Sequence, residues 1–211
     1  MLQAVPSGLV ELIETRVSVG GATRTAMARA IIRRQWSRGE RVFRAGNPCP
    51  ALVYLSHGAI RSYTINDRHQ EVTYFLFFEG ALVVDYRSLI TGEASRFDFE
   101  VMQDAQGEWV SARNLTVLVA RFPELQKAAR LFSDQAYIAL DRRAESLLLD
   151  SPEARYLRFI EEFGDQVDRI PQHVLSTWLG VRPESLSRIR KRLKLHRSQA
   201  LGQIRDLNAP P

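Results

Sequence analysis

Cysteine is almost missing from this chain: Cys49 is the only one in 211 residues. An internal disulfide is thereby excluded, and a thiolate-built zinc or iron–sulfur site lacks its ligands. Such usage points to a reducing compartment, so a cytoplasmic location is expected. Long apolar runs are also lacking. None approaches the roughly 20 residues that cross a bilayer, so no membrane partner is expected. The opening stretch MLQAVPSGLVELIETR has no basic residue ahead of its apolar positions and carries Glu11 and Glu14, unlike a secretory signal. Histidine is sparse, with four residues. No Ser-His-Asp set, phosphate loop or Cys-His pairing stands out, so the chain is not expected to be an enzyme.

Acidic residues are scarce at one end only. Residues 1–150 hold 18 basic and 17 acidic side chains, whereas 151–211 hold 11 and 7. Within 182–197 the count is 7 basic against 1 acidic. A charge run is commonly a solvated helix face, but this clustering also suits a polyanion, because each neutralised phosphate releases counterions.

The front half is rich in turn residues. Stretches 7–17 and 22–34 read as short helices, the second with Ala26, Ala30 and Ile31 on one face. From Gln35 onward, short β-branched and aromatic runs are punctuated by Gly39, Gly46, Pro48, Pro50, Gly58 and Asn66–Asp67. That texture predicts many short antiparallel strands in a roll or barrel. Phe97, Phe99 and Val101 alternate with Asp98 and Glu100 as in a half-buried strand, and DAQGEW reads as a turn entering a last strand. VVDYRSLITGEASR, between them, reads as a small helix and loop.

From Asn114 the pattern is helical. NLTVLVAR reads as a short helix, and Pro123 suits the first turn of a longer one that meets no Gly or Pro until past Leu149. Leu125, Ala129, Phe132, Ala136 and Ala139 follow the 4-3-4-3 spacing of a seam between two helices. Leu131 and Ile138 lie off that seam and are expected to pack on the roll. Ser151 is a good N-cap, with Pro152 and Glu153 suited to the turn after it.

RIPQHVLSTWLGVRPESLSRIRKRL then has the layout of a helix-turn-helix. A first helix over 172–179 carries Val174, Leu175, Trp178 and Leu179. Gly180 supplies the sharp turn and tolerates positive φ, and Pro183 opens a second helix. Leu186, Ile189 and Leu193 would face the core, leaving Glu184, Ser185, Ser187, Arg188 and Lys191 outward. Residues near the start of that second helix meet base edges in the major groove. Arg188 suits a guanine edge, and Glu184 suits a cytosine amino group. Gln172, His173, Arg182, Arg190 and Arg192 suit phosphates, which position without reading sequence.

A glycine-punctuated roll, a long helix and a C-terminal GVRPESLSRIR together resemble the CRP/FNR family of bacterial transcription regulators, over about 36–193. The resemblance implies an α+β chain in three parts. Residues 1–121 would form a cyclic-nucleotide-binding-like antiparallel β-roll, similar to a jelly roll or double-stranded β-helix. Residues 122–150 would hold a long dimerisation helix, with the homodimer formed through 123–149. Residues 151–211 would form a (winged) helix-turn-helix on double-stranded DNA. The resemblance also admits RNA polymerase as a partner, and it places base contacts on Glu184 and Arg188. Two departures stand out. Arg182 occupies a position where relatives carry a capping Thr or Ser, and a lost cap costs on the order of 1 kcal/mol. The tail KLHRSQALGQIRDLNAPP lacks strand alternation, so a β-wing is not expected.

Members that bind cyclic AMP carry a Gly-Glu pair for the ribose and an Arg-Ser or Arg-Thr pair for the phosphate. Here Glu79–Gly80 is reversed, Ala81 stands where the Glu would be, and Ser95–Arg96 is reversed as well. Arg87–Ser88 has the right order but lies close to Gly80. Reversing a pair in a strand sends each side chain to the other face. Glu79, Gly80, Arg87, Ser88, Ser95 and Arg96 are thus the candidate effector residues, with cyclic AMP not expected to bind. No cofactor is identified; another small molecule, or none, remains open. Haem on His57 or His69 has only lone histidines to support it. Two alternatives stand beside the regulator: a cupin-like metal enzyme, for which His57, His69 and Glu71 are a thin ligand set, and a ligand-binding module of the same fold that no longer reads DNA.

Overall fold

The computed structural model describes residues 5–193, and the tail that bears on the wing lies outside them. The chain divides into two compact units, Met1–Ala144 and Glu145–Pro211, with the boundary inside one long helix.

In the first unit, helices α1 (Leu9–Glu14) and α2 (Gly21–Ala30) precede β1 (Ile32–Trp36), β2 (Arg41–Phe43), β3 (Ala51–Ile65), β4 (Glu71–Phe77) and β5 (Leu82–Val83). Helix α3 (Tyr86–Thr91) separates these from β6 (Asp98–Ser111), and α4 (Ala112–Arg121) leads to α5 (Pro123–Leu149). The sheet is antiparallel, in the order β1-β6-β3-β4, with β2 on β6 and β5 on β3. The fold is therefore the expected α+β, an antiparallel roll followed by helices.

The spine is the β3–β6 ladder, which runs from Ala51 opposite Ser111 to Tyr63 opposite Asp98 and shifts register around Leu55–Ile60. Gly58 lies in that irregular stretch at φ +96°, where a Cβ would come within 2.7 Å of the Ala105 Cα. Aromatic rings fill the inside of the roll. Phe43 packs edge-on to Phe99 at 5.0 Å and to Trp109 at 5.6 Å, and Phe77 stacks on Phe99 at 5.9 Å. Val42, Val53, Leu55, Ile60, Val83 and Val101 complete this core. A second core forms where the helices cover the sheet, around Leu9, Ile13, Met27, Tyr54, Val110, Leu118, Leu125 and Ala128.

Three sequence expectations change here. The helix expected over 22–34 stops at Ala30, because Ile31 is already extended (φ −81°, ψ 131°) and Ile32–Trp36 pairs with Trp109–Ala105 of β6. β-branched Ile31 and Ile32 lose little in extended backbone; the Ile31 N–H still donates to the Met27 carbonyl, and the ladder takes over from Ile32. DAQGEW is no turn but lies within the 14-residue β6. Its glycine serves close packing: a Cβ on Gly107 would sit 2.5 Å from the Tyr54 carbonyl oxygen. Along the α5 seam, Leu125 is buried and Phe132 packs with it in the second core of the same chain, whereas Ala136 and Ala139 are exposed in the single chain. Leu131 packs as expected on the core that holds Tyr54 and Val110 of the roll, whereas Ile138 is exposed rather than packed there.

Candidate nucleic-acid interface

The second unit is built around α6 (Pro152–Phe163), a 3₁₀ turn (Gly164–Arg169), α7 (Gln172–Leu179) and α8, helical over 183–193. Ser151 caps α6 by accepting from the Ala154 N–H at 3.2 Å, and Pro152 takes the first helical position. The inner face of α6 buries Tyr156 and Phe159. The Phe159 ring lies 4.6 Å from Phe163 and 4.7 Å from Trp178 of α7, an aromatic clamp that fixes α7 against α6.

Helix α7 buries Val174, Leu175, Ser176 and Leu179. Ser176 keeps its hydroxyl satisfied in the core by donating to the His173 carbonyl at 2.8 Å. Gly180 ends the helix in the left-handed region (φ 67°, ψ 36°), a conformation that penalises any Cβ. The Val181 N–H then donates back to the Ser176 carbonyl at 3.0 Å. Arg155 of α6 reinforces the turn, its Nε donating to the Leu179 carbonyl at 2.9 Å. Pro183 opens α8, and the Arg182 carbonyl accepts from the Ser185 and Leu186 N–H groups at 3.0 and 3.1 Å. Leu186 and Ile189 are buried and Leu193 is half-buried.

This packing sets the outer face of α8. Glu184, Ser187, Arg188 and Lys191 are exposed, as are Gln172, His173 and Arg182 beside them. Ser185 is half-buried and accepts from Arg188 Nη2 at 3.3 Å, one turn away. Among the described residues, no hydrogen bond or ion pair holds the side chains of Arg182, Glu184 or Lys191. The Gln172 side chain reaches the Pro183 carbonyl at 3.5 Å. Two basic residues assigned to phosphates from the sequence are engaged elsewhere. Arg190 Nε donates to the Tyr156 hydroxyl at 3.0 Å, and Arg192 forms an ion pair with Glu153. Sequence reasoning missed Glu153 and Tyr156 as their partners because 39 and 34 residues separate the pairs. An open groove of about 330 Å³ runs between the first turn of α6 and α8, walled by Ser151, Glu153, Ser185, Arg188 and Arg192.

The candidate effector residues of the roll fall into two places. Arg87 and Ser88 on α3 lie against the segment 93–95. Arg87 pairs with Glu93; the buried Ser88 hydroxyl accepts from the Cys49 N–H at 2.8 Å and donates to the Glu93 carbonyl at 2.5 Å. Ser95 is buried, bonding both the carbonyl and the N–H of Phe97. Arg96 is exposed. Glu79 and Gly80 instead bind β3: Glu79 accepts from the Gly58 N–H, and the Gly80 N–H donates to the Leu55 carbonyl, both at 2.8 Å. Beside Ser88, burial pushes the Cys49 thiol above its ordinary pKa. The metal-ligand set is scattered. His57 is mostly exposed at 3.9 Å from Glu79, His69 occupies the β3–β4 turn at φ 57°, and Glu71 pairs with Arg61. Among the described residues no three His, Cys, Asp or Glu side chains are placed to hold a metal ion. No described helix is long and apolar enough to cross a membrane.

No family model and no curated protein matches the chain. Solved structures do. CLP of Xanthomonas campestris, a c-di-GMP-responsive global regulator, superposes with a TM-score of 0.68 at 18% identity, over 84% of this chain and 93% of that one. A chain from Eubacterium rectale described as a transcriptional regulator of the CRP/FNR family gives 0.68 at 13% identity, over 84% and 85%. FixK2 from Bradyrhizobium japonicum gives 0.67 at 15% identity, over 79% and 85%. The likeness extends over roll and helical unit alike, and it is a likeness of fold.

Proposed function

We propose that this chain is a sequence-specific DNA-binding transcription regulator of the CRP/FNR type. The observation that carries the reading is the geometry of α7, Gly180 and α8. Leu186 and Ile189 anchor α8 in the core, and Glu184 and Arg188 project from its exposed face one turn apart. In a helix-turn-helix that face enters the major groove. Arg188 reads a guanine through its guanidinium fork, and Glu184 accepts from a cytosine amino group. Arg182 and Lys191, exposed on either side, hold phosphates.

The regulator works as a homodimer on a roughly two-fold symmetric operator, one half-site per subunit. Support comes from α5, which exposes Tyr137 (70%), Ile138 (49%), Leu148 (82%) and Leu149 (77%) in the single chain. That is more apolar surface than a solitary helix face ordinarily presents. Cyclic AMP is not its effector. Arg87 is paired with Glu93, and the buried Ser88 and Ser95 hydroxyls are bonded within the chain, whereas an anion site needs donors that converge on one point.

The test is to recover the fragments of the source genome that the purified protein retains at two salt concentrations. An inverted repeat surviving the higher salt is expected. On that operator Arg188→Gln lowers affinity by roughly 5- to 150-fold, equivalent to the 1–3 kcal/mol of one bidentate base contact, and relaxes the preference at one base pair. Retention without a common motif, lost as salt rises, would overturn the reading, since phosphate attraction alone behaves that way.

A further inference from the structure

Arg188 and Arg192 lie one helical turn apart on α8 and share a wall of the groove that faces α6. The opposite wall carries Glu153, whose carboxylate pairs with the Arg192 guanidinium. Both partners keep contact with solvent, with side chains 55% exposed for Arg192 and 32% for Glu153. The pair is thus a surface ion pair, weakly held and open to exchange. The other charges of this corner are taken: Asp150 pairs with Arg158 and accepts from Arg155 through its carbonyl, and Arg190 is held by Tyr156. Arg192 is the cation beside Arg188 whose one partner among the described residues, Glu153, can be exchanged for a phosphate.

We propose that Glu153 is an intramolecular competitor for the DNA backbone, occupying Arg192 until a phosphate displaces it. The proposal rests on the DNA-binding reading above and deepens it. A strand whose base meets Arg188 carries its phosphates past neighbouring turns of the same helix, and Arg192 lies beside Lys191 one turn along. When phosphate takes Arg192, Glu153 is left facing a second negative charge across the groove. Its carboxylate therefore opposes binding twice, by masking a cation and by repelling the phosphate. Both effects are independent of base sequence. Glu153 lowers affinity for every duplex alike and thereby widens the relative weight of the base contacts made by Arg188 and Glu184.

The test is a salt titration of operator binding for the full chain, wild type, Glu153→Gln, Arg192→Gln and the double variant, with thermal unfolding of each as a check. Glu153→Gln is expected to bind two- to fivefold more tightly at low salt. The slope of log K against log salt should change by less than the roughly 0.9 of one phosphate contact, because Arg192 meets phosphate in both complexes. In the Arg192→Gln background the gain from Glu153→Gln should shrink, because only the repulsion remains. An unchanged or weaker affinity for Glu153→Gln overturns the proposal, as does a gain of equal size without Arg192. If the pair only braces α8 on α6, both single variants weaken binding and lower the unfolding midpoint together, which also overturns it. Arg188→Gln is measured alongside. A wild-type complex that is specific and Arg188-dependent, with no response at Glu153, sinks this inference alone; absence of any specific wild-type complex sinks the DNA-binding reading itself.

Discussion

Gly58 offers a quantitative test of how the roll is built. It sits at φ +96° in the irregular stretch of the β3–β6 ladder, and a Cβ there would meet the Asp104 carbonyl oxygen and lie 2.7 Å from Ala105 Cα and 2.9 Å from its Cβ. Alanine at this position meets two penalties. The positive φ costs roughly 1–2 kcal/mol for a residue with a Cβ. The clash is with backbone, which cannot swing aside, and forced overpacking of that kind costs about 1–3 kcal/mol more. The expected total is therefore about 2–5 kcal/mol. Gly46 provides the control: its φ is +83°, yet nothing lies within 4 Å of a Cβ, so Gly46→Ala carries the conformational penalty alone. Denaturant unfolding followed by far-ultraviolet circular dichroism reads both. Gly58→Ala should fall below Gly46→Ala by about 1–3 kcal/mol. Equal losses would refute the argument, because they would mean that the β3–β6 approach tolerates a methyl group and that glycine is there for its φ only.

Leu186 is fully buried beneath α8, so Leu186→Ala should destabilise the C-terminal unit by about 2–5 kcal/mol; hydrogen exchange over α7 and α8 should accelerate while the β3–β6 amides keep their protection, and uniform acceleration would contradict this. The hydroxyl of Thr23 donates to Glu124 at 2.5 Å and, with backbone N–H groups, holds that carboxyl below its ordinary pKa. A depressed carboxylate pKa stabilises the fold above the unfolded value of about 4.3, and that contribution is lost as pH falls through the lower folded value. Thermal midpoints of wild type and Thr23→Val should thus differ by a constant amount at neutral pH and converge in acid; a gap that does not change with pH would show that the bond has no charged component.

The helix-turn-helix was legible in the sequence because its determinants are local. Glycine at 180, proline at 183 and apolar residues at helical spacing act within one or two turns, and the structure places Leu186, Ile189, Glu184 and Arg188 as that spacing requires. The ends of α5 and α6 were legible for the same reason, through Pro123, Ser151 and Pro152. The strand at Ile32–Trp36 was not, since its hydrogen-bond partners lie on β6, from Ala105 to Trp109, and helix propensity carries no information about them. β6 likewise runs unbroken through Gly107, where the Tyr54 backbone on the partner strand approaches too closely for a side chain. The same separation governs the site. Composition made Arg190 and Arg192 look like free cations, yet Tyr156 and Glu153 claim them across 34 and 39 residues. Short-range spacing determined where α7 and α8 form and which face each buries, because those interactions act within a few residues. Which polar groups remain open to a partner was decided by the tertiary structure, because a hydrogen bond or ion pair between distant residues exists only once packing has brought them together.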